Sequence, residues 1–257
     1  MVEFTNEGLR LAARDEGAPG APVVLLVHGF ASSLRTNWVE PGWVQTLTEG
    51  GYRVLAFDHR GHGSSDKPLD PSAYTPQAMA GDCVAFLDQL GVRRAALFGY
   101  SMGARVTGFA GLAHADRFPV LVFGGLGIGL VNGVGDWDPI AEALRAPSLD
   151  DVTHERGRMF RAFADRTRSD REALAACIAR SRDELSPDEV ARLRQPTLIG
   201  VGTRDDIAGS PQALADLMPN AEAFAIPNRD HMLAVGDRLF KAEVLDFLGR
   251  NRDLFAA

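Results

Sequence analysis

The chain has 257 residues, of which 46% are hydrophobic and 24% charged, with a net charge of −7. That length suits one α/β domain, large enough to bury a core that needs no disulfide or metal staple. The acidic balance excludes a nucleic-acid partner, whose phosphates demand a basic face, and weighs against steering of anionic substrates.

The opening "VEFTNEGLRLAARDEG" alternates apolar and polar residues around a turn at Asn6-Glu7-Gly8, which predicts an edge hairpin. It has no basic segment leading into an apolar one, so no secretory signal is expected. No apolar stretch approaches the roughly 20 residues of a membrane span. The expected location is therefore the cytoplasm. Six continuous apolar runs follow: Val23–Val27, Arg53–Phe57, Ala95–Phe98, Val120–Phe123, Thr197–Val201 and Ala223–Ile226. Continuous rather than alternating runs predict a parallel sheet buried on both faces. Thr75-Pro76 and Ser210-Pro211 each set a hydroxyl N-cap before a proline, opening helices between the runs. The first of these continues to a stop at Gly91. Strand and helix in alternation imply right-handed crossovers with helices on both faces. The two cysteines, Cys83 and Cys177, fall inside helical segments and read as small buried hydrophobes.

After "PVLVFGGLGIGLV" the alternation stops. Helical patterns run from about Pro139 to Gln195, with capping-box spacing at Ser169–Glu172 and at Ser186–Glu189. An insertion this long exceeds what a crossover requires. The expected organisation is a core domain of residues 1–131 and 196–257 with a helical cap at 132–195, set over the carboxyl edge of the sheet.

"LFGYSMGARV", Leu97–Val106, places Ser101 between two glycines where a strand turns into a helix. Ligands of open α/β sheets bind beyond the carboxyl ends of the strands. A serine held in such a tight turn needs neighbours without a Cβ. Serine is a weak nucleophile unless a base and an orienting group serve it. Of six histidines, His231 in "IPNRDHMLAVGD" follows the last run and shares the Ser101 edge; His114 and His154 lie in helical or cap segments. The orienting carboxylate is expected at Asp205, ahead of Asp206, with Asp136 and Asp138 as outside alternatives. "VVLLVHGFASS" brings the N–H of Phe30 to the same edge, and the helix start supplies that of Met102, together an oxyanion hole. His28 reads as a residue holding that loop. Phe30, Met102, Met232, Trp137, Met159, Phe160 and Phe163 are the expected pocket wall, suited to small or medium neutral acyl groups.

These motifs carry a resemblance. "HGF" (28–30), "DHRGHGSS" (58–65), "GYSMGA" (99–104), "GTRDD" (202–206) and "DHM" (230–232) resemble the α/β-hydrolase fold superfamily, in its small-cap serine esterase and haloperoxidase-like branch. The resemblance covers the chain outside the cap. It implies a mostly parallel central sheet flanked by helices and a Ser-His-Asp triad of Ser101, His231 and Asp205. It also implies hydrolysis of carboxylic esters of short to medium acyl chains through an acyl-enzyme, without cofactor or metal, and perhydrolysis as a side activity. "DHRGHGSS" would be a structural turn; Asp58, His59 and His62 in one short loop do not make a metal site. Serine as nucleophile separates the chain from the dehalogenase and epoxide-hydrolase branches, which use aspartate there. A lactone or carbon–carbon bond hydrolase is the alternative, and a ligand-sensing receptor with a slow triad is the alternative of another class.

Overall fold

The computed structural model describes residues 2–256; Met1 and Ala257, the outermost residues of the expected core domain, lie outside the described residues. Eight strands form one open sheet: β1 (Val2–Asn6), β2 (Leu9–Glu16), β3 (Val23–Val27), β4 (Arg53–Phe57), β5 (Ala96–Tyr100), β6 (Val120–Gly124), β7 (Thr197–Gly202) and β8 (Ala221–Ile226). Their spatial order is β1-β2-β4-β3-β5-β6-β7-β8. β1 pairs antiparallel with β2 and β2 antiparallel with β4, and every other pairing is parallel.

Helices fill the connections. They are α1 (Trp43–Glu49), α2 (Pro76–Gln89), α3 (Met102–Ala113), α4 (Gly129–Asn132), α5 (Asp138–Arg145), α6 (Glu155–Thr167), α7 (Arg171–Ile178), α8 (Pro187–Val190), α9 (Pro211–Ala215) and α10 (Arg238–Arg250). Five of them, α4 to α8, lie between β6 and β7.

The buried strands divide their side chains by parity, as a pleated strand must. In β3, Val23, Leu25 and Val27 enter one core with Met79, Phe86 and Val106 of α2 and α3. Val24 and Leu26 enter the other, with Trp43 of α1 and Phe240, Val244 and Phe247 of α10. Both faces are covered, which is why these runs read as continuously apolar.

The structure departs from the sequence reading at several ends. β5 continues through Gly99 and Tyr100, because both pair with β6. β8 is one of the two sheet edges and is mostly half-exposed rather than buried, having a partner on one side alone. The helix expected to stop at Gly91 ends at Gln89, and Gly91 takes the left-handed turn after it, with φ +64°. At Ser169 the expected capping box does not form. Asp170 caps α7 by accepting from the Ala173 N–H, and the Ser169 hydroxyl shares a 2.9 Å bond with Thr167 instead. Asp170 stands one residue nearer and its carboxylate is the stronger acceptor for a helix start. The box at Ser186–Glu189 does form, on a helix of four residues.

Candidate active site

Ser101 is the single residue between β5 and α3, and its backbone is forced to φ +55°, ψ −112°. Few side chains tolerate that conformation, and holding one there costs on the order of 1–3 kcal/mol. The surroundings impose it. The Ser101 N–H donates to the Gly124 carbonyl at 2.8 Å, while its own carbonyl accepts from Arg105 as α3 begins. The flanking glycines let the layers close. A Cβ on Gly99 would strike the Gly103 carbonyl, and a Cβ on Gly103 would strike the Val27 carbonyl of β3.

The Ser101 Oγ lies 3.0 Å from His231 Nε2, and His231 Nδ1 lies 2.8 Å from Asp205 Oδ2. These three residues come from the ends of β5, β8 and β7. His231 is held in place by its loop. Its carbonyl accepts from the Tyr100 hydroxyl at 2.6 Å, and the adjacent Asp230 Oδ1 accepts from the N–H groups of Met232 and Leu233.

The Asp205 side chain is fully buried. Burial alone would raise its carboxyl, yet the hydrogen bond and charge of His231, with the N–H groups of Ala208 and Ile207, hold it below the usual carboxylate range. Asp206 is exposed. Asp138 pairs with Arg182 at 3.2 Å, and Asp136 accepts from the Asp138 N–H. His154 caps α6 and His114 follows the end of α3.

The loop after β3 is built around buried neutral histidines. The His59 N–H donates to His28 Nε2 at 2.9 Å, so the proton of His28 sits on Nδ1 and is given to the Gly29 carbonyl at 2.8 Å. Burial lowers His28 to about 4. The Gly29–Phe30 peptide is planar and trans, so fixing its carbonyl on one side sends the Phe30 N–H to the other. Among the described residues neither that N–H nor the one of Met102 has a backbone acceptor outside the regular elements. The Gly29 N–H is held by Asn37 Oδ1, and the Ala31 N–H by His62 Nε2, itself lowered by burial to about 3. Within "DHRGHGSS", Asp58 accepts from the N–H groups of Leu34 and Ser64, and Arg60 grips the buried Asp82 of α2 with two nitrogens at 2.6 and 2.8 Å.

Two cavities meet at Ser101 and Phe30. The outer one, of about 530 Å³, is lined by His231, Tyr100, Met159, Phe160, Phe163 and Met232 among others. The inner one, of about 30 Å³, is lined by Met102, Leu126, Trp137, Ile178 and Ile207, with Arg105 and Ser181. All the residues named from sequence as pocket wall thus face one cavity or the other. Asn37, Tyr100, Arg105 and Ser181 were not foreseen. Only the position of Tyr100 beside Ser101 and of Arg105 one turn into α3 hinted at them.

The sequence profile of the alpha/beta hydrolase fold family matches residues 22–153. Epoxide hydrolase A of Mycobacterium tuberculosis is 43% identical over 112 residues, 44% of this chain and 34% of that protein. The chain spans about a third of the length of these curated relatives, the epoxide hydrolases of Mycobacterium tuberculosis, Siraitia grosvenorii and Caballeronia sordidicola. Two solved structures align along nearly the whole chain. A hydrolase from Pseudomonas aeruginosa is 27% identical with a TM-score of 0.81, covering 96% of this chain and 97% of the other. An enol-lactonase from Burkholderia xenovorans is 26% identical with a TM-score of 0.79, covering 96% and 100%. Family profile, sheet order and structural likeness agree: the chain belongs to the alpha/beta hydrolase fold family.

Proposed function

We propose that the chain is a serine hydrolase of carboxylic esters, with Ser101 as nucleophile, His231 as general base and Asp205 orienting it. The observation that carries this reading is the unbroken hydrogen-bonded row Ser101–His231–Asp205, with its strained serine lining a 530 Å³ cavity. His231 Nε2 takes the Oγ proton as Oγ attacks the ester carbonyl. The carboxylate of Asp205 keeps the other proton on Nδ1 and stabilises the imidazolium. The oxyanion rests on the N–H groups of Phe30 and Met102, each worth about 3 kcal/mol in the transition state. His231 returns its proton to the departing alcohol, and water then repeats the sequence on the acyl-enzyme. Every group this mechanism needs is a side chain or backbone N–H of the chain itself. The helices over 132–195 serve as the cap of the site.

The curated relatives named epoxide hydrolases pose a chemical question that Ser101 answers. An aspartate that opens an epoxide forms an ester, which water can cleave at its carbonyl. A serine would form an ether, with no carbonyl to attack, and the enzyme would stop. A second reading, lactone hydrolysis by the same machinery, is favoured by the likeness to the enol-lactonase over 96% of the chain.

The test is hydrolysis of p-nitrophenyl acetate beside a γ-lactone panel. Sustained turnover that disappears in Ser101→Ala, with unchanged folding, is expected. Activity retained by that variant would remove Ser101 from the mechanism. A single burst without turnover would favour the receptor reading, and faster lactone than ester cleavage the second reading.

A further inference from the structure

The two cavities at Ser101 are unequal in their access to His231, which lines the outer one and not the inner. Resting on the proposed ester hydrolysis, this asymmetry decides which half of a substrate goes where. The leaving oxygen must take its proton from His231 Nε2, so it must come within hydrogen-bond reach of that nitrogen. Two other bonds of the tetrahedral carbon are taken by Oγ and by the oxyanion at the Phe30 and Met102 N–H groups. The acyl chain is the fourth substituent and is directed away from His231, toward Met102 and the inner cavity.

The inner cavity is small and not wholly apolar. Its volume of about 30 Å³ is far below the 530 Å³ of the outer cavity, so of the two it takes the smaller half of a substrate. Trp137 and Ile178 stand in its wall. At its wall the Ser181 hydroxyl is buried, with the Cys177 thiol as its polar neighbour and no oxygen or nitrogen partner among the described residues. Beside it, Arg105 spends its guanidinium on the carbonyls of Gly129, Leu130 and Asp183. That uses three of the five N–H donors an arginine carries. An oxygen on the acyl group would satisfy donors that an alkyl chain leaves idle. The outer cavity, of about 530 Å³, has the size of a pocket for a whole aromatic or similarly bulky group.

We propose that the inner cavity is the acyl subsite and the outer cavity the leaving-group subsite, so that the preferred substrates are bulky-alcohol esters of very short acids bearing an oxygen near the carbonyl, with Ser181 as the specificity-determining contact.

The test is kcat/KM for p-nitrophenyl acetate, butyrate, hexanoate and octanoate, with methoxyacetate beside its isostere butyrate. In the wild type kcat/KM should fall at least about tenfold from acetate to hexanoate, as the chain outgrows the space. Trp137→Ala should recover hexanoate relative to acetate, and Ile178→Ala serves the same end should the tryptophan variant not fold. The methoxyacetate-to-butyrate ratio should drop about five- to tenfold in Ser181→Ala, the loss of one hydrogen bond; comparing the ratio between proteins removes the intrinsic reactivity of the esters. Octanoate cleaved as fast as acetate would overturn the subsite assignment while leaving ester hydrolysis intact. An unchanged ratio in Ser181→Ala would overturn the oxygen-bearing acyl class. No Ser101-dependent cleavage of any ester would overturn the esterase reading itself, and this assignment with it.

Discussion

Replacing Asp205 by asparagine should lower kcat about 10⁴-fold with the fold intact. The reason lies in how Asp205 is held. Its Oδ1 accepts from the N–H groups of Ile207 and Ala208, both at 2.9 Å. An amide nitrogen cannot stand there, since donor would face donor. Asparagine therefore keeps its oxygen on those two groups and turns its NH₂ toward His231 Nδ1, where the carboxylate now sits at 2.8 Å. Facing a donor, Nδ1 must become an acceptor, and the single proton of the neutral ring moves to Nε2. That nitrogen is 3.0 Å from the Ser101 hydroxyl and, once protonated, cannot take its proton. A factor of 10⁴ corresponds to about 5.5 kcal/mol of lost transition-state stabilisation.

The assay is turnover of p-nitrophenyl acetate at neutral pH with thermal melting of the same samples. Asp206→Asn is the control, because Asp206 is exposed, and its kcat should stay within about twofold. An Asp205→Asn enzyme retaining a tenth of wild-type turnover, or a larger loss in Asp206→Asn, would refute the tautomer argument.

Ser101→Gly should abolish hydrolysis yet raise stability. Release of strain at φ +55° outweighs the added entropy of glycine in the unfolded chain, leaving a gain of about 1–2 kcal/mol; a lower melting temperature would show that no strain is stored. Gly103→Ala should destabilise by at least about 1–3 kcal/mol and reduce activity, because the new methyl meets the rigid Val27 carbonyl, and a melting curve matching wild type would count against that packing. Acid should weaken the fold through His28. Burial holds it to about 4 against an ordinary 6.5, so the unfolded chain protonates first. The stability it contributes is whole above pH 6.5 and falls by about 3 kcal/mol as pH drops through 4. Asp58 and Asp82, raised by burial, act in the opposite sense. The measurement is therefore the urea stability of wild type minus that of His28→Gln, which should shrink from pH 7 toward pH 4.5; a constant difference would refute it.

The features legible in the sequence are those set by local rules. A strand buried on both faces is apolar at every position, so β3, β4 and β7 could be placed almost to the residue. β8 also looked apolar, but whether a run is an edge depends on its neighbours in space, and Ala221–Ile226 has β7 alone. Capping was legible where one candidate stood, as at Thr75 and Ser186. It misled where Ser169 and Asp170 competed, since Asp170 took the N-cap and the Ser169 hydroxyl turned to Thr167.

The same division separates the two halves of the candidate site. Ser101, Asp205 and His231 each sit within a few residues of a strand end, and a parallel sheet presents all its carboxyl ends along one rim; topology alone brings them within reach of one another. Their backbone donors follow from the same ends. The space around them obeys no such rule. Arg105 meets the carbonyls of Gly129, Leu130 and Asp183, from 24 to 78 residues away, and Trp137 and Ser181 arrive from just before α5 and just after α7, helices whose docking is decided by packing. On the proposed reading the reacting groups are thus a property of the sheet, whereas the substrate they accept is a property of how the helices of 132–195 settle upon it. Substitutions that change acyl preference should therefore concentrate between β6 and β7, at positions such as Trp137 and Ile178, and not along the strand ends.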